Sequence, residues 1–482
     1  MGVSLNPATI LSGQGINVSS IVQQIIGEQS GQLSVWQAQQ TTFATQDGLL
    51  EGLNNNLTTL QTAVAALADP TGALTAQAAT SSQTSVLTAN ALSTAIAGTH
   101  QIVVNSLATT GTLYTDPVAA GADASFLTSG QTSGNIQLQV GGASGTTHNI
   151  AITQGSNDTL NTLAAYINTQ STANNWGVTA SVVSDTTGSR LALFSQSSGS
   201  AGALSVASNS NTTLNFDTPV GGANASLTID GVPFSSSSNT VTNAIQGVTL
   251  NLVSQSPGNP VQLTVGPDTN QITTAVNNFV SAYNAVIGTI NSQYVVDPTG
   301  SIPAPPLESD ISLRSLQSSL LTDASFAIGG NNGYVNLASL GINTNNDGTL
   351  SLGLTPSGQS FASVLASNPS AVQNFFQNAT STGFANNFNT DLTNLTDPTQ
   401  GPLNVDLAQN QAEQADLTTT INNFETQLTT EQTQLTQQYS AVNASLQAYP
   451  LLLQEITETL GSLSPAGSAS TTSSNPTLTS GL

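Results

Sequence analysis

The stretch "IDGVPFSSSSNTVTNAIQGVTLNLV", residues 229–253, decides how the middle of the chain is built. It predicts a strand ending in an Asp230-Gly231 turn, a serine run, a short helical turn ending at Gly247, and an alternating strand over Val248–Val253. No nucleophile stands beside a histidine base in it. We therefore interpret the segment as structural.

The same period of two extends outward from this stretch. Short alternating segments occupy much of the region between residues 100 and 268, separated by Gly, Asn, Ser and Asp turns. One helical segment, "TLNTLAAYINTQ" at 159–170, interrupts them. This pattern predicts one or two small β-rich domains of sandwich type.

Both ends of the chain show helical heptads instead. Asn17 or Ser19 is expected to cap the first helix, and Pro450 to kink the last. A further apolar helix is predicted over residues 269–294. The heptad seams are Trp36, Phe43, Leu50, Leu57 and Val64, with Leu53, Leu60 and Leu67 beside them, and Ile421, Leu428, Leu435, Val442, Tyr449, Ile456 and Leu463.

The predicted fold is an α+β multidomain protein. Long helices from both chain ends form a coiled-coil-like leg, and sandwich-like β-rich domains are inserted between them. The predicted ranges are N-terminal leg helices 1–70, a linker with the first strands of an inner β domain 71–125, an outer inserted β domain 126–212, the rest of the inner domain 213–268, a mixed leg-proximal domain 269–400, a C-terminal leg helix 401–463 and a disordered tail 464–482.

Composition excludes several function classes. The chain has 25 acidic residues against two arginines, Arg190 and Arg314, so its net charge is −23. Without Lys/Arg clusters we expect no nucleic-acid partner. No apolar run is long enough to predict membrane insertion, and the first 15 residues predict no cleaved signal peptide. Zero cysteines exclude disulfides and thiol chemistry.

Candidates for catalysis or metal binding are weak. His100 and His148 have no ligand-spaced neighbours in sequence, and the usual nucleophile, zinc and phosphate-loop motifs do not occur. "NTNNDG" at 343–348 begins like a calcium loop, but Leu354 stands where a bidentate glutamate is required, so a tight turn is predicted. We expect no enzyme activity, no cofactor and no metal.

Residues 225–287, "ASLTIDGVPFSSSSNTVTNAIQGVTLNLVSQSPGNPVQLTVGPDTNQITTAVNNFVSAYNAVI", closely resemble the bacterial flagellar filament-capping family, hook-associated protein 2. "GINVSSIVQQII", "LESDISLRSLQSSL" and "LASLGINTNNDGTLSLG" are similar to other segments of that family. Residues 159–206 look like a repeat inserted in flagellins and related axial proteins. The scarcity of Lys and Arg departs from the family's usual composition.

The resemblance implies a non-enzymatic, extracellular cap at the distal tip of the flagellum, exported by the flagellar type III system. It implies a ring homo-oligomer, commonly a pentamer, that promotes flagellin folding and insertion. Implied partners are flagellin, hook–filament junction proteins and an export chaperone. The alternatives are another axial protein (a flagellin or junction protein), a surface adhesin, or a hydrolase that would need a carboxylate pair.

Helical seams near both chain ends are the predicted oligomerisation or filament contacts. The sequence leaves open, for each residue, whether it lies in the core of its own chain or on an assembly surface. The predicted contact residues are Ile21, Val22, Ile25, Ile26, Leu446, Leu453, Ile456 and Leu460.

Overall fold

The computed structural model describes residues 16–295, 298–299, 301, 303–378 and 382–462. The predicted tail, 464–482, lies outside them. The chain divides into two compact units, the first formed by Met1–Thr58, Gly288–Ser318 and Asn394–Leu482 and the second by Thr59–Ile287 and Ser319–Thr393. Helices occupy both ends of the described chain and strands its middle, which confirms the predicted α+β fold class.

The helices and strands of the described residues have the following bounds. The α-helices are α1 Val18–Gln29, α2 Gly31–Ala68, α3 Leu160–Asn174, α4 Thr269–Ser292, α5 Ile311–Ala324, α6 Phe361–Ser367, α7 Pro369–Phe376, α8 Phe384–Leu395 and α9 Pro402–Ser462. The strands are β1 Gln77–Ser81, β2 Leu87–Ala91, β3 Gly98–Ser106, β4 Thr110–Tyr114, β5 Ser133–Val140, β6 Thr146–Thr153, β7 Val178–Asp185, β8 Gly188–Ser198, β9 Leu204–Ser210, β10 Ala225–Ile229, β11 Val232–Ser236, β12 Thr240–Ile245, β13 Val248–Leu252, β14 Val261–Pro267, β15 Ile342–Thr344 and β16 Leu350–Leu352.

The first unit is helical. Asn17 caps α1, as predicted, because its side chain accepts a hydrogen bond from the Ser20 N–H at 3.0 Å. The last helix, α9, continues through Pro450 to Ser462. The polar faces of these helices carry amides, hydroxyls and a few carboxylates. Side-chain hydrogen bonds join them among the described residues.

An inner β-sandwich occupies part of the second unit. A five-stranded sheet, in the order β1-β14-β3-β10-β11, and a three-stranded sheet, β12-β13-β2, share one hydrophobic core. Asp230 and Gly231 form the two-residue turn between β10 and β11, as predicted, and both have positive φ.

The predicted helical turn before Gly247 is wrong. These residues form β12, which pairs antiparallel with β13. The pairing register shifts between Val241 and Ile245, and Asn243 within the shift has φ 63°. The bulge sets the two buried residues four positions apart, and this spacing imitates a helix in the sequence.

An outer domain, also in the second unit, combines two three-stranded sheets, β4-β8-β7 and β6-β5-β9, with α3. Leu160, Leu163 and Ile167 of α3 are buried in the same core as both sheets. Thr159 and Thr162 form a reciprocal capping box at the start of α3. The helix makes this domain a mixed α/β layer structure rather than a pure sandwich.

The remaining part of the second unit surrounds a cluster of aromatic rings. Phe384 lies at its centre, with ring centroids of Phe279, Phe326, Phe375, Phe376 and Phe388 between 5.4 and 6.3 Å away. These rings come from α4, the segment after α5, α7 and α8. Although only 5% of the chain is aromatic, much of that content is concentrated here.

Candidate assembly surface on the terminal helices

Helices α1 and α2 run antiparallel to α9. The Ile16 N–H donates to Asn443 Oδ1 at 2.7 Å, Gln29 Nε2 to Glu431 Oε1 at 2.8 Å, and Gln40 Nε2 to Thr418 Oγ1 at 2.8 Å. Trp36 and Phe424 meet edge to face, with ring centroids 5.3 Å apart. Residue numbers increase along α1 and α2 while those of their partners on α9 decrease. These contacts therefore fix the antiparallel register between residues 16–40 and 418–443.

The predicted contact residues of α1 lie within this helical pairing. Ile21 and Val22 are buried in the single chain, whereas Ile25 and Ile26 are half-buried. Ile21 and Val22 therefore have a core role in the isolated subunit. A contact of Ile25 and Ile26 with another subunit stays a prediction.

The predicted residues of α9 are arranged differently. Leu446 is half-buried, and Leu453, Ile456 and Leu460 keep 50%, 51% and 63% of their surface exposed. Val442 and Tyr449 continue this line and are exposed too. We call these six residues, Val442, Leu446, Tyr449, Leu453, Ile456 and Leu460, the α9 seam.

The α9 seam has the spacing of a coiled-coil contact. Its residues alternate steps of four and three, which keeps them on one face of a supercoiled helix. Glu455 and Glu458 are the only charged residues between 442 and 462. With the seam residues at heptad positions a and d, both glutamates fall at c and f, away from the e and g positions that flank such a contact. Like charge therefore does not oppose a second copy at this surface, despite the net charge of −23.

The two histidines occupy ordinary structural positions. His100 Nδ1 lies 2.7 Å from Asp230 Oδ2, and Asp230 Oδ1 accepts the Gln101 N–H, also at 2.7 Å. These hydrogen bonds hold the pKa of Asp230 below its ordinary value. His148 stacks on Trp176 with ring centroids 4.8 Å apart, and burial lowers its pKa.

One carboxyl group, that of Asp323, has a strongly raised pKa. Burial, a hydrogen bond with Asp391 and the charge of Asp391 raise the pKa of Asp323 to about 7. Burial raises the pKa of the nearby Tyr283, and the charge of Asp323 adds to this effect. The sequence gives no sign of this pair, because its members lie on separate helices, α5 and α8.

The structure supports no metal centre in the part of the chain that it describes. No group of three or more His, Cys, Asp or Glu side chains there could hold a metal ion. The "NTNNDG" segment is the predicted tight turn, between β15 and β16, and Asp347 Oδ1 accepts the Thr349 N–H at 3.0 Å and its hydroxyl at 2.6 Å.

The serine run of residues 235–238 leads to a joint between the inner and outer domains. Asn239, directly after it, accepts the Ala108 N–H at 2.8 Å and donates to the Ala108 carbonyl at 2.9 Å. The Ser198 hydroxyl donates to the Ser237 carbonyl at 2.7 Å. The Ser198–Ser237 hydrogen bond thus links this stretch to the outer domain, whereas the Asn239–Ala108 pair lies within the inner domain, whose core includes Ala108.

Among residues 16–462, wherever the structure describes them, no helix is long and apolar enough to span a bilayer.

Comparison with known families gives a consistent result. The family model described as flagellar hook-associated protein 2 C-terminus matches residues 222–449, and the one described as flagellar hook-associated protein 2 N-terminus matches residues 14–111. Together they cover more than half of the chain. A flagellin hook IN motif matches residues 135–197.

Individual relatives point the same way. The B-type flagellar hook-associated protein 2 of Pseudomonas aeruginosa is 34% identical over 289 residues, 54% of this chain and 58% of the relative. The match thus spans less than two thirds of that relative. The flagellar hook-associated protein 2 of Escherichia coli is 28% identical over 362 residues, 70% of this chain and 74% of the relative.

Similarity extends to a solved structure. The crystal structure of the flagellar cap protein FliD from Escherichia coli aligns with a TM-score of 0.56 at 25% identity. The alignment covers 75% of this chain and 99% of that chain.

Proposed function

Because the chain belongs to the flagellar hook-associated protein 2 family, whose members are structural cap proteins and not enzymes, we propose that it caps the distal tip of the flagellar filament. It acts there as a small ring-shaped homo-oligomer. Beneath the ring, incoming flagellin folds and inserts.

The α9 seam is the observation that carries the assembly part of this proposal. Its exposed apolar side chains have coiled-coil spacing and neutral flanks. Fully burying a leucine contributes about 1.5–3 kcal/mol, and these side chains are about half exposed, so covering each of them contributes roughly half of that. Several of them on each copy together favour association. We propose that neighbouring copies or filament subunits cover this seam.

The remaining partners follow from the family. We propose contacts with flagellin and with hook–filament junction proteins, an export chaperone before secretion, and passage through the flagellar type III apparatus. Half-buried Ile25 and Ile26 of α1 take part in the same contacts as the α9 seam.

Electron microscopy of the purified full chain tests the proposal. We expect closed rings, and long filaments would identify a filament subunit instead. The double variant Leu453→Ala/Leu460→Ala should lose the rings while its helical circular dichroism is retained. The control Val405→Ala/Leu451→Ala removes apolar side chains that are equally exposed but lie off the seam, and should keep the rings.

Filament growth in a strain that lacks its own cap gives the functional readout. The full chain should restore growth, and the seam variant should release unpolymerised flagellin into the medium. Deleting residues 1–35 should abolish capping and leave the β domains folded. Normal growth with the truncated chain would refute the role of the terminal helices.

A further inference from the structure

The second unit contains a narrow connection between its aromatic helical part and its inner β-sandwich. The chain leaves α2 through residues 69–76 to reach β1, and it returns from β14 through residues 267–269 to start α4. The two passages are joined where the Asp268 N–H donates to the Ala76 carbonyl at 2.9 Å. We call residues 69–76 and 267–269 the neck.

The start of the neck leaves carbonyl groups of α2 without their helical donors. Pro70 has no N–H for the Ala66 carbonyl. The Thr71 N–H, which would continue the helix to the Leu67 carbonyl, donates instead to Asp69 Oδ1 at 2.8 Å. The Leu67 carbonyl, on a buried residue, therefore needs a donor from elsewhere.

Gln377 supplies that donor from a distant part of the chain. Its Nε2 donates to the Leu67 carbonyl at 3.1 Å and to the Asp69 carbonyl at 2.7 Å. Gln377 is only 8% exposed. A single buried amide thus bridges the last turn of α2 and the first residue of the neck.

We propose that Gln377 is a positioning residue that clamps the neck and holds the β domains in one orientation on the helical part. A buried carbonyl left without a donor is unfavourable, so the clamped arrangement is preferred over a rotated one. In the cap, and resting on the function proposed above, the clamp makes the β domains move with the helical part of the second unit as one body.

Distance measurement between two spin labels tests the clamp directly. The chain has no native cysteine, so Thr390→Cys on α8 and Gln262→Cys on β14 can be labelled without background. Both positions are exposed. In this parent the distribution of label distances should be narrow. In Gln377→Met, which keeps the side-chain length and removes both donors, the distribution should broaden.

A matched control lies four residues earlier, on α7. Gln373 Nε2 donates to Gln377 Oε1 at 3.3 Å. Gln373→Met makes the same chemical change without removing a donor from the neck, and should keep the narrow distribution. A parent-like width in Gln377→Met, or equal broadening in Gln373→Met, would overturn the proposal.

The variant Gln377→Glu tests the clamp even if Gln377→Met folds poorly. Burial beside two carbonyl groups raises the pKa of this carboxyl group, so the first measurement is made at about pH 10, where the ionised carboxylate has no donor and the distribution should be broad. At about pH 4 the group is protonated, regains one O–H donor and should restore the narrow distribution. A narrow distribution at about pH 10, or one that stays broad at about pH 4, contradicts the clamp.

Filament growth in the cap-deficient strain is a separate arm. Gln377→Met should shorten filaments relative to the unmodified chain. Failure of the unmodified chain to restore growth counts against the proposed function alone, because the label distances report the clamp independently.

Discussion

The aromatic cluster around Phe384 should carry a large share of the stability of the helical part of the second unit. Phe384 is fully buried and touches five other rings. Truncating a buried phenylalanine to alanine costs about 3–5 kcal/mol, and the cost is largest where the site cannot collapse. Since rings from several elements wall this site, we expect about 5 kcal/mol for Phe384→Ala.

Urea unfolding followed by circular dichroism at helical wavelengths measures this loss. With a slope of about 2.5 kcal/mol/M, the midpoint should fall by about 2 M. Phe361→Ala provides the matched control. Phe361 is equally buried, and no ring contact to it is present among the described residues. We expect Phe361→Ala to cost about 3 kcal/mol, the lower end of the range for a buried phenylalanine, so the difference of about 2 kcal/mol between the variants reports the ring contacts of Phe384 together.

The outer domain offers an internal control in the same molecule. Trp176 packs against the separate core of that domain, so its fluorescence, read in a Trp36→Phe background, should keep its transition in Phe384→Ala. A fall in the helical midpoint of less than about 0.5 M would refute the estimate. An equal shift of the Trp176 transition would refute the independence of the two cores.

Three further predictions concern single positions. Asp323 has a raised folded-state pKa, so its contribution to stability should be full below about pH 4 and should fall as the pH rises to about 7; Asp323→Asn should flatten this dependence in unfolding titrations. Gly247→Ala should destabilise the inner sandwich by at least about 1 kcal/mol, because φ is 74° and a Cβ would lie 2.8 Å from the Ala95 backbone; an unchanged melting temperature would contradict this. Thr159→Ala should cost the outer domain about 1 kcal/mol, read from the Trp176 transition, through loss of the helix cap.

Much of the fold could be predicted because the local spacing of apolar residues indicates the type of each element. The seven-residue repeats of Trp36 and Phe43 or of Ile421 and Leu428 fall on long helices, and the alternating segments of the middle fall on strands. The one wrong element, β12, contains a bulge that changes its spacing from two to four. A bulge depends on the partner strand, so a single strand's sequence does not reveal it.

The candidate assembly surface, too, could be predicted from the sequence only in part. Heptad spacing identified the apolar line on α9, but not which of its residues another helix of the same chain covers. In the structure Ile21 and Val22 are buried, while Leu453 and Leu460 stay exposed. Both sets look alike in sequence. Burial depends on which other helix of the chain packs beside each residue, which is a property of the packed helices.

The sequence by itself determined the helical ends, the β-rich middle, the Asp230-Gly231 turn and the absence of cysteine, because each depends on a residue and its close neighbours. Only the tertiary structure decided that Gln377 reaches the Leu67 carbonyl, 310 positions away, and that Asp323 shares its environment with Asp391. An amide or a carboxyl group gains its role from the acceptor or charge that folding places beside it. No local pattern encodes that placement.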